Sequence, residues 1–371
     1  MFQESTLRLI RGETPSTDRV QGEATILKAA TYWAVALVLG AVAVSAGANA
    51  LLNNRCRRLH PPPGSFYTVD GTKTHLDCMG EGSPSVILVA GLGDDWLQWR
   101  RVQPALSQLT RVCSYDRAGY GWSDPRPGTR DSIAITEELH ALLQQAEIAG
   151  PIVLMGHSAG GLHIREYAMK YPAGIVGMVF VDASTPRQVD ELPPQLVAPD
   201  DLRWPKVETF FGIPRWRGQC GQHEWTGMGV IPSDSPQYID WLQADDCMVS
   251  VLTTTEQEEA AFSLSCREAG ITGPFGNMPI LILSEDPQYL PAFWIQFYSA
   301  SLHADFAKSW NSLQEGLKRL STRSRRIIAR KSSHYVQIDR PELVIAEVGN
   351  MIRMFQGNSP PPAVYGTTTV E

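Results

Sequence analysis

Ile152-Val153-Leu154-Met155-Gly156-His157-Ser158-Ala159-Gly160 passes from four apolar, strand-favouring residues through a small-residue turn into a helix-like stretch, Leu162 to Tyr171. An unbroken apolar run of this kind suits a strand buried on both faces. Gly156 and Gly160 bracket Ser158, where a strand turning sharply into a helix leaves no room for larger side chains. Such an elbow lifts the serine hydroxyl clear of the backbone. It also turns the amide of Ala159, at the helix N-terminus, towards whatever that hydroxyl attacks. Gly-x-Ser-x-Gly alone is a frequent chance match. The strand before it and the helix after it make Ser158 a candidate nucleophile.

Outward from the elbow, short β-rich runs occupy residues 66–69, 74–78, 86–90, 112–115, 152–155, 176–181, 280–283 and 326–329. Most later ones are continuously apolar and separated by helical stretches such as Ile133 to Ala146. That alternation predicts an α/β fold: a mostly parallel sheet of about eight strands with helices on both faces. The rhythm breaks once. Residues 186–276 offer no comparable strand and are rich in proline, tryptophan and amphipathic stretches such as Glu256 to Glu268. An insertion of that size reads as a helical cap over the C-terminal sheet edge, leaving 66–185 and 277–357 as the core.

With these residues in hand, the chain resembles the α/β-hydrolase family, in its capped serine esterase and lipase-like branch, over Phe66 to Phe355. Ala90-Gly91-Leu92-Gly93 follows a strand where that family places a His-Gly-x loop. The resemblance implies an oxyanion hole made by the amides of Leu92 and Ala159, with Ala90 standing where His is common. Asp116-Arg117-Ala118-Gly119-Tyr120-Gly121-Trp122-Ser123 is similar to the family's Asp-Arg-x-Gly-x-Gly-x-Ser stretch, a scaffolding loop whose tight path uses Gly119 and Gly121. Ser332-Ser333-His334-Tyr335, ahead of Asp339-Arg340-Pro341-Glu342-Leu343, looks like the family's His loop and makes His334 the implied general base. His157 and His163 are expected to be packing residues. For the acid, Asp182 at the end of the sixth strand is favoured. Asp286, in Ser284-Glu285-Asp286-Pro287, is the alternative although it falls short of the usual position, and Glu285 stays open as a third.

The implied chemistry is hydrolysis of a carboxylic ester through an acyl-enzyme, with no cofactor. Thioester, amide or C–C hydrolysis, or a non-catalytic binding role, are the alternatives. A serine at the elbow argues against the haloalkane dehalogenase and epoxide hydrolase branches, which need a carboxylate there. An apolar, lipid-like small-molecule substrate is suggested by Trp204, Phe210, Phe211, Trp216, Trp225 and Trp241 in the cap, although such aromatics more often form a cap's own core.

The N-terminal segment 1–28 leads into residues 29–52, which carry no charge and are long enough to span a ~30 Å hydrocarbon core as a helix. A single-pass anchor in membrane lipid is the reading. A cleaved signal is the rival, because Ala48-Asn49-Ala50 resembles a peptidase site, but the preceding acidic residues are unlike a short basic n-region. Arg19 and Lys28 before the span against Arg55, Arg57 and Arg58 after it lean slightly towards a cytoplasmic catalytic domain. Residues 53–65, with Pro61-Pro62-Pro63-Gly64, read as a stiff spacer, and 358–371 as a disordered tail.

Across 371 residues, 43% hydrophobic and 19% charged with a net charge of −7, the composition is that of a globular enzyme. Nucleic acid is not an expected partner, since the basic run Arg319 to Lys331 is broken by Ile327-Ile328-Ala329. Six irregularly spaced cysteines without a Cys-x-x-Cys pair predict no zinc site. Cys78 and Cys113 read as plain buried residues, and a bridge among Cys220, Cys247 and Cys266 stays open. Oligomeric state is not legible.

Overall fold

The strand-like runs form β1 (Ser65–Val69), β2 (Thr72–Met79), β3 (Ser85–Val89), β4 (Val112–Tyr115), β5 (Ile152–His157), β6 (Ile175–Val181), β7 (Ile280–Ser284) and β8 (Ser324–Ile328), with β9 (Thr368–Val370) added at one edge. The computed structural model describes residues 17–220, 235–245, 247–289, 299–358 and 365–371. The strands make one sheet in the order β1-β2-β4-β3-β5-β6-β7-β8-β9. Its first two pairings are antiparallel and the rest parallel.

Successive side chains along each parallel strand enter opposite layers. Ile87, Val89, Leu154, Phe180 and Ile282 join one core, and Val86, Leu88, Val153, Met155, Val179, Val181, Leu281 and Leu283 the other. Both faces are thus dry, which is why these strands read as unbroken apolar runs. Leu139, Leu142 and Leu143 of α2 (Ser132–Gln145) and Ile164 and Tyr167 of α3 (Gly160–Lys170) cover the first layer. The second layer is covered by α8 (Pro341–Phe355), whose Leu343, Val344, Val348, Met351 and Ile352 recur at helical spacing. Truncating a sheet leucine such as Leu154 to alanine would cost about 2–5 kcal/mol.

Between β6 and β7 the described residues contain no strand. They hold α4 (Arg203–Phe210), α5 (Pro236–Asp245) and α6 (Val249–Gly270) with shorter helical turns. Trp204, Phe210 and Trp216 are 73%, 52% and 70% exposed, so they form neither cap core nor enclosed pocket. Trp225 lies outside the described residues. Between β7 and β8 runs α7 (Ala300–Gly316).

The chain divides into two units, Met1–Asn54 and Arg55–Glu371. The described residues of the first, 17–54, lie on α1 (Thr17–Leu59), a 43-residue helix. A window of mean hydropathy 2.1 within Thr25–Leu59 makes it long and apolar enough to cross a membrane, a test that an N-terminal signal sequence also passes.

Three sequence expectations need correction. Residues 55–59 are helical, and the segment after them is not a free spacer. Pro63 O lies 2.7 Å from His75 Nε2, Trp241 Nε1 donates to Pro61 O at 2.9 Å, and Arg57 donates to Gly121 O at 2.7 Å while lying over Trp122. The tail is not wholly loose either: its β-branched Thr368–Val370 pairs in parallel with β8, which would otherwise be an open sheet edge. Cys78 and Cys113 face each other across the β2–β4 ladder with Cα atoms 4.0 Å apart, and are disulfide-bonded. Cys220 pairs with Cys247, and Cys266 is a buried free thiol.

Candidate active site

Ser158 sits at φ +49°, a left-handed conformation that costs a non-glycine residue about 1–3 kcal/mol unless its surroundings impose it. They do so by hydrogen bonds. Ser158 N–H donates to Val181 O at 3.2 Å, and Ser158 O accepts from Gly161 and Ser184 N–H at 2.9 and 2.8 Å. The flanking glycines are steric necessities: a Cβ on Gly156 would lie 2.5 Å from Gly160 O, and one on Gly160 would collide with Val89 O.

His334 and Asp182 meet. His334 Nδ1 lies 2.6 Å from Asp182 Oδ2, so the ring donates from Nδ1 and leaves Nε2 to act elsewhere. Asp182 has no solvent exposure, while the His334 side chain is 36% exposed. Besides the imidazole, Asp182 accepts from Trp310 Nε1 at 3.0 Å and from Glu285 N–H at 3.0 Å. Those donors fix the plane of the carboxylate. The His334 ring stands 4.7 Å from that of His157, the residue before the elbow serine.

Asp286 is turned to other work. Its Oδ1 accepts from Gln288 N–H at 2.9 Å and its Oδ2 from Lys331 N–H at 3.0 Å, so it fastens the start of the His loop. Glu285 reaches Asp182 by its backbone amide. Burial, with Asp182 and Asp286 nearby, pushes its own carboxyl well above the ordinary range.

On the other side of Ser158 lies Ala90-Gly91-Leu92-Gly93. A Cβ on Gly91 would stand 3.1 Å from Ser158 Cβ, so this loop packs directly on Ser158. Its amides are mostly spoken for. With the Gln98 amide oriented to satisfy its neighbours, Gly91 N–H donates to Gln98 at 3.1 Å, and Gly93 N–H donates to Tyr120 Oη at 3.3 Å. Among the described residues Leu92 and Ala159 N–H meet no acceptor, which leaves two unpaired donors next to Ser158.

Of the groups that support this constellation, His157 and His163 were expected from sequence as packing residues, whereas Asp94 and Trp310 were not singled out. His157 is buried, with Nε2 3.1 Å from His334 O and Nδ1 3.5 Å from Asp94. Burial pushes its pKa down despite Asp94, so it serves as a neutral strut. Tyr335 donates to Asp94 at 3.1 Å. Trp310 had no motif at all, standing on α7 far along the chain from the residue it holds. His163 is held near Ser132 Oγ at 2.8 Å, its pKa pushed down to about 3 by burial and then by Arg117. No group of three metal-ligating side chains converges among the described residues.

Residues 86–347 match the model of the alpha/beta hydrolase family. The chain belongs to the α/β-hydrolase family. Among curated relatives, an uncharacterized protein of Schizosaccharomyces pombe is 34% identical over 33% of this chain, and the match covers only 29% of that protein's length. Two solved α/β-hydrolase structures show how far the fold extends. A thermophilic esterase from Thermogutta terrifontis aligns with TM-score 0.51 at 20% identity, over 79% of this chain and 99% of its own. The epoxide hydrolase CorEH aligns with TM-score 0.55 at 14% identity, over 79% and 98%. At such identities the likeness is one of fold.

Proposed function

We propose that the chain is a membrane-anchored serine hydrolase that cleaves a carboxylic ester by a Ser158–His334–Asp182 triad. The observation that carries this reading is the 2.6 Å contact between His334 Nδ1 and a fully buried, three-donor Asp182, on a loop whose ring packs beside the elbow. A serine hydroxyl is a weak nucleophile until a base takes its proton. With Nδ1–H held by Asp182, Nε2 is the basic nitrogen, and the imidazolium formed on proton transfer is stabilised by the carboxylate. Ser158 Oγ attacks the carbonyl carbon, and the resulting oxyanion is met by the N–H groups of Leu92 and Ala159, each worth roughly 3 kcal/mol in the transition state. His334 passes the proton to the leaving alcohol. Water, deprotonated by the same ring, then releases the acid from the acyl-enzyme.

The serine at the elbow supports an ester over an epoxide or haloalkane, whose hydrolysis on this fold needs a carboxylate there. Two disulfides in the catalytic unit support an oxidising compartment for it, against the slight cytoplasmic lean of the flanking charges. Purified protein should hydrolyse p-nitrophenyl acetate or octanoate faster than a matched p-nitroanilide, with turnover abolished in Ser158→Ala. Faster anilide cleavage would move the substrate class to amides, and turnover unaffected by Ser158→Ala would remove the serine mechanism.

A further inference from the structure

Arg117 lies in the loop after β4 and is 1% exposed, and the guanidinium is shared between two partners. On one side Nη1 and Nη2 donate to Ala90 O at 2.8 Å and Gly91 O at 2.7 Å. On the other, Nε and Nη2 form a bidentate pair with Glu258 of α6, both bonds 2.9 Å. Glu258 is 4% exposed. Burial pushes its carboxyl up, but Arg117, with Arg130 at 3.6 Å, outweighs burial and holds it ionised below the ordinary range. Tyr120 completes the cluster: its hydroxyl accepts from Gly93 N–H and donates to Glu258 Oε2 at 3.2 Å.

In a trans peptide the carbonyl and the following N–H point in opposite directions. Gly91 O accepts from Arg117 at 2.7 Å and, more weakly, from Asp94 N–H at 3.2 Å, which fixes Leu92 N–H facing away from Arg117, and that is the loop amide left without an acceptor. The planar fork of arginine can hold two carbonyls and a carboxylate at once only if the carboxylate keeps it in place. That carboxylate comes from the cap.

Resting on the hydrolase reading above, we propose that Glu258 is a positioning residue: through Arg117 the cap helix sets the peptide plane that presents Leu92 N–H to the transition state. The cluster touches neither His334 nor Asp182, so the proton-transfer side of the site is untouched by it.

The test measures kcat, KM and the Kd of an ester-like trifluoromethyl ketone, whose hemiketal oxyanion mimics the tetrahedral intermediate. Glu258→Gln should lower kcat by about 10- to 100-fold, as expected for a donor displaced rather than deleted. KM should stay within about threefold, the ketone should lose affinity by the same factor as kcat/KM, and the pH profile set by His334 should not move. Because a half-broken buried pair can unfold the domain, the double variant Arg117→Met with Glu258→Leu removes both charges and should show the same loss of kcat in a folded protein. Unchanged kcat in either variant, or a rise in KM alone, would overturn the proposal, since a merely structural cap contact predicts those. If the wild type itself shows no Ser158-dependent turnover, the hydrolase reading fails instead.

Discussion

His334 and Asp182, on one side of Ser158, lean on Trp310 and on Glu285 N–H, all from the sheet and its own helices. Leu92, on the other side, depends on Arg117, whose outer edge is taken by Glu258 of the cap. The two halves answer different needs. On the proposed reading the proton shuttle must be correct before substrate arrives, and it is built from residues of the sheet and its own helices. The oxyanion donor of that reading is needed only in the transition state, and its loop is held in part by Arg117, whose partner Glu258 lies on α6 of the insertion. The proposed geometry thus divides into a half built from the core alone and a half that draws support from the insertion.

The division can be broken most directly at the nucleophile. Ser158→Ala or His334→Ala should each reduce kcat for a p-nitrophenyl ester by several powers of ten, about 10⁶ at the upper end. The double variant should be little worse than either, because the pair acts as a unit. Additive losses would mean the two residues do not share a step.

Asp182→Asn sharpens the core side. An amide cannot hold the Nδ1–H tautomer in the same way, and kcat should fall by about 10⁴ with the fold intact. Asp286→Asn should change it less than about tenfold, since both Asp286 oxygens serve backbone amides of loops rather than the imidazole. The reverse pattern, followed by steady-state kinetics, would transfer the acid to Asp286.

The smallest effect lies one residue beyond Glu258 on the same helix. Burial, then repulsion from Asp200, raises the Glu259 carboxyl to about 7. A raised acid favours the protonated native state, so its contribution to stability is full below the unfolded value near ~4.3 and is lost as pH climbs through about 7. The wild-type Tm should therefore fall, relative to Glu259→Gln, between about pH 5 and pH 8. A constant offset between the two across that range would show that Glu259 does not titrate there.

The triad residues of the proposed core half were all named from the sequence, and their roles stay proposals. Ser158 and His334 stand in motifs because a strained elbow and a loop after a strand impose residue types at fixed spacing, and Asp182 was favoured by its strand end. Spacing alone left the acid open, because Asp182 and Asp286 both follow parallel strands at the same sheet edge; in the structure Asp182 contacts His334 and Trp310, and Asp286 accepts from Gln288 and Lys331 N–H. Trp310 and Glu258 carry no local signal, since each acts on a partner more than a hundred residues away. The Cys78–Cys113 bridge was missed for a related reason, because the β2–β4 register is a tertiary fact. Thr368–Val370 was lost behind Pro360-Pro361-Pro362, although its β-branched residues suit an edge strand.

Labelling with a fluorophosphonate tests the central claim most directly, because phosphonylation needs an activated serine and mimics the first chemical step. Peptide mass spectrometry of the labelled full-length protein should place the adduct on Ser158, with none in Ser158→Ala and much slower labelling in His334→Ala. No adduct on folded wild-type protein, or an adduct that persists in Ser158→Ala, would contradict the account.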